Sequence, residues 1–565
     1  MKINNYLVSL SVIIAIILFT GCGNSNKNKD MKKEFEAFVK RYEDTIAQMD
    51  KDANLAYWNA SITGKSEDFQ KNADIEIQRN KVLANKDDFA LLKKIKASNS
   101  ITDSTQKREL DVIYNIYLEK QADPKKMEDI VNLENEIEKK FNTFRTVIGK
   151  DTLTDNKVEE ILSTSTNSEQ LKNTWMACKK IGPVVSADVI KIVKLRNEVA
   201  KELGFKNYHE MSLTLSDQNP QDIDKIFNEL DSLTRNTYAS LKDEIDSYLA
   251  KRLKIKKEDI MPWHYQDRYF QTAPKIYKVD LDQYYKSKDI AALTQNYYSS
   301  IGLDIIDMLK SSDLYEKPGK NQHAFCTDID NNGDVRVLCN IKPNANWMGT
   351  SLHEFGHACY DKYIDINLPY VLREPAHTFT TEAIAMMFGR FSSNPQWLKD
   401  VVGISDQEKQ KIAEESFKVL RLEQLVFSRW AQVMYHFEKE MYTNPDQDLN
   451  KLWWDMVEKY QMIKKPADRN EPDWATKIHI AAYPCYYHNY LLGELLASQL
   501  YYYITKNIIK SEDYKNQSFY GNAEVGKFLK EKVFMPGKMY YWNDMIEKAT
   551  GEKLTAKYYA KQFVN

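Results

Sequence analysis

The sequence predicts a mainly α-helical fold built as one large domain, and three observations carry that expectation. Apolar residues recur with a helical period over Phe35–Met49, Lys126–Val147, Asp222–Leu253, Asp406–Met441 and Tyr487–Thr505, with Glu and Lys on the opposite faces. Glycine and proline number 18 and 15 in 565 residues, too few to cut the chain into short pieces. Beyond residue 31 no Pro/Gly/Ser-rich linker, internal repeat or low-complexity run separates one part from another.

The N-terminus reads as an export signal over residues 1–21. Lys2 precedes an apolar core from Tyr6 to Phe19, too short for a spanning helix. Phe19-Thr20-Gly21-Cys22 resembles a bacterial lipobox, which implies that Cys22 is lipidated and becomes the mature N-terminus. Phe19 and Thr20 depart from the usual Leu and Ala or Ser. A plain secretory signal or an uncleaved anchor is the alternative. The polar stretch 22–30 would be a tether, leaving 31–565 as the catalytic body. The lipid reading implies a cell-envelope protein that meets the membrane only through its anchor.

The body has mixed charge, a net charge of −2 and no basic block, which argues against nucleic acid as a partner. One segment departs from the helical period. Residues 324–330 and 334–339 alternate like strands around Asn331-Asn332-Gly333, which predicts a β-hairpin turned at Asn-Gly. Its edge would suit an extended peptide. Six cysteines, five without Cys22, exclude a disulfide scaffold. Cys326 and Cys339 are left open between a cross-hairpin disulfide and two thiols.

The segment just after the hairpin carries the chemistry. His353-Glu354-Phe355-Gly356-His357 is an H-E-x-x-H motif in a chain with only nine histidines. On a helix the two imidazoles share a face and reach one metal, while Glu354 is placed to take a proton from a water. A third ligand is required, and two carboxylates compete. Glu374 lies in the loop-like Arg373-Glu374-Pro375. Glu382 lies in the apolar helical stretch Phe379–Phe388. Burying a carboxylate there is costly unless a metal compensates it, which favours Glu382.

At these residues the chain resembles the angiotensin-converting enzyme (peptidyl-dipeptidase A) family of zinc peptidases. Besides H-E-x-x-H and Thr381-Glu382-Ala383-Ile384-Ala385, the resemblance rests on Leu55–Thr63, Trp453-Trp454 with Lys459-Tyr460-Gln461, and Lys477-Ile478-His479-Ile480. It extends over about residues 31–560. It implies a helical ellipsoid of two lobes around a deep cleft. It also implies one Zn²⁺ per chain, held by His353, His357 and Glu382, and removal of dipeptides from peptides with a free C-terminus. Glu354 would be general base and then acid. His323 and Ala324, 30 residues before His353 and its neighbour, match a substrate-binding pair. Lys477 matches the residue that binds the substrate carboxylate, His479 one that binds its backbone, and Gln271 a further carboxylate ligand. An extended segment would point Lys477 and His479 the same way.

Tyr487 and Tyr490 share one helical face and match a Y-x-x-Y pair, the first binding carboxylate and the second stabilising the oxyanion. Tyr490 lies 11 residues past His479, one more than in the family, so a gap is required. Tyr486-Tyr487-His488-Asn489-Tyr490-Leu491 also resembles the Y-Y-G-Y-L of thimet oligopeptidases. His377 and His488 are candidates for a supporting shell; His209, His264 and His436 read as structural or surface residues. Animal members bind activating chloride through Arg residues, and Asn489 and Val457 stand at two of those places here. A thimet-type oligoendopeptidase and an inactive peptide-binding protein of the same fold are the competing readings. The dipeptidyl carboxypeptidase and the oligoendopeptidase part on whether Lys477, Tyr487 and Gln271 converge on one pocket.

Overall fold

The computed structural model describes residues 5–564, with side chains from residue 29 onward. The export signal and Cys22 lie outside the residues whose side chains are described. Among the described residues no helix is long and apolar enough to cross a membrane. The fold is mainly α, with two antiparallel strand pairs.

The helices start and stop where local chemistry dictates. Asn219 caps Pro220–Leu253 by accepting from the N–H groups of Gln221 and Asp222, and Lys254 ends it in the left-handed region. Ser405 and Glu408 form a reciprocal capping box that starts Asp406–Thr443. The expected helix over Lys126–Val147 is corrected. It runs Pro124–Thr143, Phe144 is extended, and Thr146–Ile148 pairs with Asp151–Leu153. Gly149, at φ 61°, makes that turn, and β-branched Thr146, Val147 and Ile148 suit a strand better than a last helical turn. The expected helix over Tyr487–Thr505 runs His488–Tyr503 and continues as a wider π turn over Ile504–Ile509.

The hairpin before the H-E-x-x-H motif is present, as Phe325–Asp328 paired with Val335–Leu338. Its turn differs from the expected two-residue Asn-Gly. Ile329 N–H donates to Asp334 O, Asp330 accepts from the N–H groups of Asn332 and Asp334, and Asn331 and Gly333 both take positive φ. The longer loop exists because Asp330 supplies the acceptor that a tight turn would take from backbone. Cys326 lies opposite Val337, and both Cys326 and Cys339 are free thiols. The smaller hydrophobic cluster joins Phe35, Phe38, Tyr42 and Ile46 of the first helix, Asn5–Thr63, to Tyr370–Leu372. That short stretch leads into the helix Thr378–Gly389.

Three helices form the heart of the larger cluster: Ala345–Lys362, which carries the motif, Thr378–Gly389, which carries Glu382, and His488–Tyr503, which carries Tyr490. Glycines let them approach closely. A Cβ on Gly356 would lie 2.9 Å from Ala385 Cα and 3.3 Å from its nitrogen. A Cβ on Gly493 would meet Met386 Sδ at 3.2 Å and Glu382 Cβ at 3.3 Å. Backbone cannot yield as a flexible side chain can, so Gly356→Ala should cost about 1–3 kcal/mol. Thermal unfolding should show a midpoint lower by several degrees; an unchanged midpoint would mean that the crossing has slack.

Candidate metal centre and active site

Asn344 caps the motif helix by accepting from Trp347 N–H at 2.8 Å, and the helix then places His353 and His357 one turn apart on one face. Their Nε2 atoms are 3.2 Å apart. Glu382 Oε2 lies 3.7 Å from His353 Nε2 and 3.8 Å from His357 Nε2. A point equidistant from three atoms so spaced is about 2.1 Å from each, the length of a Zn–N or Zn–O bond. Among the described residues these are the one group of three His, Cys, Asp or Glu side chains close enough to share an ion. Thr381 Oγ1 meets His357 Nδ1 at 2.7 Å, which fixes the ring and leaves Nε2 for a metal. Sequence reasoning missed Thr381, although it directly precedes the ligand carboxylate.

The electrostatics agree with a cation at this point. Burial pushes the Glu354 carboxyl up to about 8, and the charge of Glu382 adds to it. Burial, with a smaller contribution from Glu494, pushes Glu382 up to about 7. Burial holds His353 down to about 4, so its imidazole is neutral, the form that ligates metals. A divalent ion at this point would favour the ionised form of both carboxyl groups, and neutral imidazoles are free to ligate it. Glu374 does not compete. Lys538 Nζ donates to its Oε2 at 2.7 Å, and that charge holds Glu374 below the usual carboxylate range.

Two cavities flank the ligands. One, of about 530 Å³, has the hairpin residues Ala324–Cys326 in its wall together with His353, His357 and Glu382. The other, of about 760 Å³, borders His353 and Glu354 from the side of Arg390, Glu423 and Glu494. Ala324 thus reaches the site as expected. His323 is exposed just before the strand, and Ala324, Phe325 and Cys326 form that part of the wall.

Lys477, Gln271 and Tyr487 converge. Lys477 Nζ donates to Gln271 Oε1 at 2.7 Å and lies 5.4 Å from the centroid of the Tyr487 ring. The rings of Tyr269 and Trp430, at 5.2 and 5.6 Å from Nζ, complete an aromatic box that sequence reasoning missed. Burial pushes the Lys477 ammonium down to about 8. His479 is joined to the same group through Tyr487, at 5.2 Å between rings. The expected extended segment is corrected, because only Lys477 is extended and His479 already lies in the short helix Ile478–Ala482. One turn of helix still brings both against Tyr487. His479 Nδ1 is buried with no hydrogen-bond partner. Tyr490 packs 5.5 Å from Tyr487, and burial first, then the nearby Glu382 charge, raises its phenol.

The remaining histidines are structural. His377 caps the Glu382 helix by accepting from Phe379 N–H at 3.1 Å, and His488 Nε2 meets Gln218 Oε1 at 2.7 Å. His264 bonds Ser168 at 2.8 Å, His436 stacks on Tyr460, and His209 packs against Tyr435. Asn489 accepts from Gln218 at 2.7 Å. Val457 is buried. Near it the Arg469 guanidinium grips Asp473 at 2.6 and 2.5 Å, and Trp454 donates to the same carboxylate.

The family model Peptidase_M2, described as angiotensin-converting enzyme, matches residues 29–563. A protein of Theromyzon tessulatum named angiotensin-converting enzyme is 22% identical over 572 residues, covering 94% of this chain and 90% of its own. Proteins of the same name from Mesocricetus auratus and Rattus norvegicus are 22% identical over 561 and 422 residues, which is 92% and 69% of this chain. The chain spans 41% and 32% of the length of those two relatives.

The geometry makes the ligand set testable by metal analysis of purified protein. Glu382→Ala should lose bound zinc, whereas Glu374→Ala and Glu354→Gln should keep one ion per chain. Thr381→Val should weaken zinc binding by about tenfold or more, since it frees the His357 ring. Loss of zinc from Glu374→Ala and not from Glu382→Ala would reverse the assignment.

Proposed function

Because the chain belongs to the angiotensin-converting enzyme family of peptidases, we propose that it is a zinc-dependent peptidyl-dipeptidase that removes dipeptides from the C-termini of peptides. The observation that carries this reading is the convergence of Lys477, Gln271 and Tyr487 beside His479 and Tyr490. An endopeptidase has no use for a buried ammonium that waits for a carboxylate. An inactive binding protein has no use for a desolvated carboxyl at Glu354.

His353, His357 and Glu382 would hold the ion, which when bound supplies Lewis-acid polarisation of the scissile carbonyl and lowers the pKa of a water. The protein's own groups do the rest. Glu354 takes a proton from the attacking water and later delivers it to the leaving amine. Tyr490 donates its phenolic hydrogen bond to the oxygen that gains charge, with His479 as a second donor or a backbone partner. Lys477, oriented by the Gln271 carbonyl and the surrounding rings, pairs with the terminal carboxylate. Its distance from the ligand triad then sets how many residues leave together.

Digestion of a free-acid peptide and its C-terminal amide, read by mass spectrometry, tests specificity. Dipeptides should leave the acid stepwise, and amidation should slow cleavage strongly. Lys477→Ala should raise KM for the acid far more than for the amide. Lys477 is charged below its pKa of about 8, so kcat/KM for the acid should fall as pH rises through that value, and the amide should not show this loss. Equal cleavage of both forms would favour the endopeptidase.

Chloride should matter little. Val457 and Asn489 replace two guanidinium groups, and the nearby Arg469 is already satisfied by Asp473. Desolvating an anion without charge-assisted donors is costly. Activity should stay nearly flat when chloride replaces acetate at constant ionic strength; a several-fold activation would reveal an anion site built from other residues.

A further inference from the structure

The cavity of about 530 Å³ beside the metal ligands has four carboxyl groups in its wall: Glu354, Asp361, Glu374 and Glu382. Three have partners or tasks. Glu382 is placed to ligate, Glu354 is placed as the base, and Glu374 is neutralised by Lys538 at 2.7 Å. Asp361 has neither. It stands one helical turn beyond His357, so it faces the same space. Its hydrogen-bonding neighbour is the Cys326 thiol, 3.8 Å from Oδ2, and the charges of Asp328 and Glu374 lie close by. Among the described residues no Lys, Arg or His forms an ion pair with it. Burial pushes its carboxyl up to about 8, which marks an environment short of positive charge.

Neither cavity beside the ligands holds Lys477, Gln271 or Tyr487, and of the two only this one has the strand residues Ala324–Cys326 in its wall. A peptide whose C-terminal carboxylate sits on Lys477 and whose scissile carbonyl sits at the ligands would place its preceding residues here. Ala324–Cys326 would run alongside them. We propose that Asp361 selects peptides with a cationic side chain, arginine or lysine, just N-terminal to the bond that is cut. This inference rests on the peptidase reading above. A guanidinium or ammonium would give Asp361 a charge-assisted hydrogen bond where little water competes. A neutral ureido of the same shape can still donate a hydrogen bond but brings no charge to pair with the carboxylate, and an anionic side chain is repelled.

Matched free-acid peptides carrying arginine, citrulline or glutamate at either of the positions preceding the bond test this. Citrulline keeps the shape of arginine without its charge. In the wild-type protein kcat/KM should favour arginine over citrulline by about tenfold or more at one position, with glutamate poorest. The arginine-to-citrulline ratio, taken within each protein, should fall to near one in Asp361→Asn and shrink with added salt in the wild type. Calorimetric binding of the same peptides to Glu354→Gln, with and without Asp361→Asn, reads the preference without turnover. If no peptide is cut but arginine peptides still bind more tightly through Asp361, the peptidase reading fails, and Asp361 stands as the selector of a cationic side chain in a bound peptide. A ratio near one in the wild type, or a preference that survives Asp361→Asn, overturns it.

Discussion

The close crossing of three helices governs everything at this site. Gly356 lets the motif helix touch the backbone of Ala385, and Gly493 lets the tyrosine helix touch Glu382 and Met386. A helix with ordinary side chains at the contact stays 8–10 Å from its neighbour, roughly axis to axis. Removing the Cβ atoms draws Glu382 between two histidines on one side and Tyr490 on the other. The ligand triangle of 3.2, 3.7 and 3.8 Å is therefore a product of packing, held by the same contacts that bury Phe355, Ile384 and Leu492. Preorganisation here needs no flexible loop, because all three candidate ligands stand on helices fixed by the core.

Charge is arranged around that crossing. Burial makes Glu354 and Glu382 hard to ionise and keeps His353 neutral. A divalent cation between them would favour the ionised carboxylates. Lys538 draws Glu374 out of the contest by pairing with it, although Glu374 borders the same cavity. The opposite arrangement serves Lys477. There the positive group is buried, softened by three aromatic faces and aimed by Gln271, so that an incoming carboxylate relieves the cost. In the proposed reaction the two desolvated regions, one short of positive charge and one short of negative, bracket the peptide.

Family membership fits this picture without dictating its details. Identity of 22% leaves most side chains free to differ. Asp473 satisfies Arg469 internally beside Val457, and Asp361 brings an unpaired carboxyl into the cavity wall. Tyr490 follows the short helix Ile478–Ala482 and a turn in which Cys485 takes a positive φ. Tyr487 and Tyr490, three residues apart, keep their rings in contact there.

By itself the sequence determined the helical class and the hairpin, and it marked His353, His357 and Glu382 as one candidate group, which the fold brings together. Each follows from local rules: period 3.6, period 2 and the i, i+4 spacing of His353 and His357. The choice of Glu382 over Glu374 was legible too, because a carboxylate in an apolar helix demands a partner. Tertiary structure alone decided the rest. Whether Lys477 meets Gln271 depends on bringing together residues some two hundred positions apart, a matter of packing and not of pattern. That His323 stays outside while Ala324 enters the wall depends on where the strand starts. That the hairpin turns on Asp330, and that the helix after Pro124 stops at Thr143, depend on side-chain acceptors and β-branched residues competing with the backbone. Thr381 and Asp361 acquire meaning only from what lies beside them. Period and spacing are read along the chain, whereas the partner of a buried charge is chosen across it.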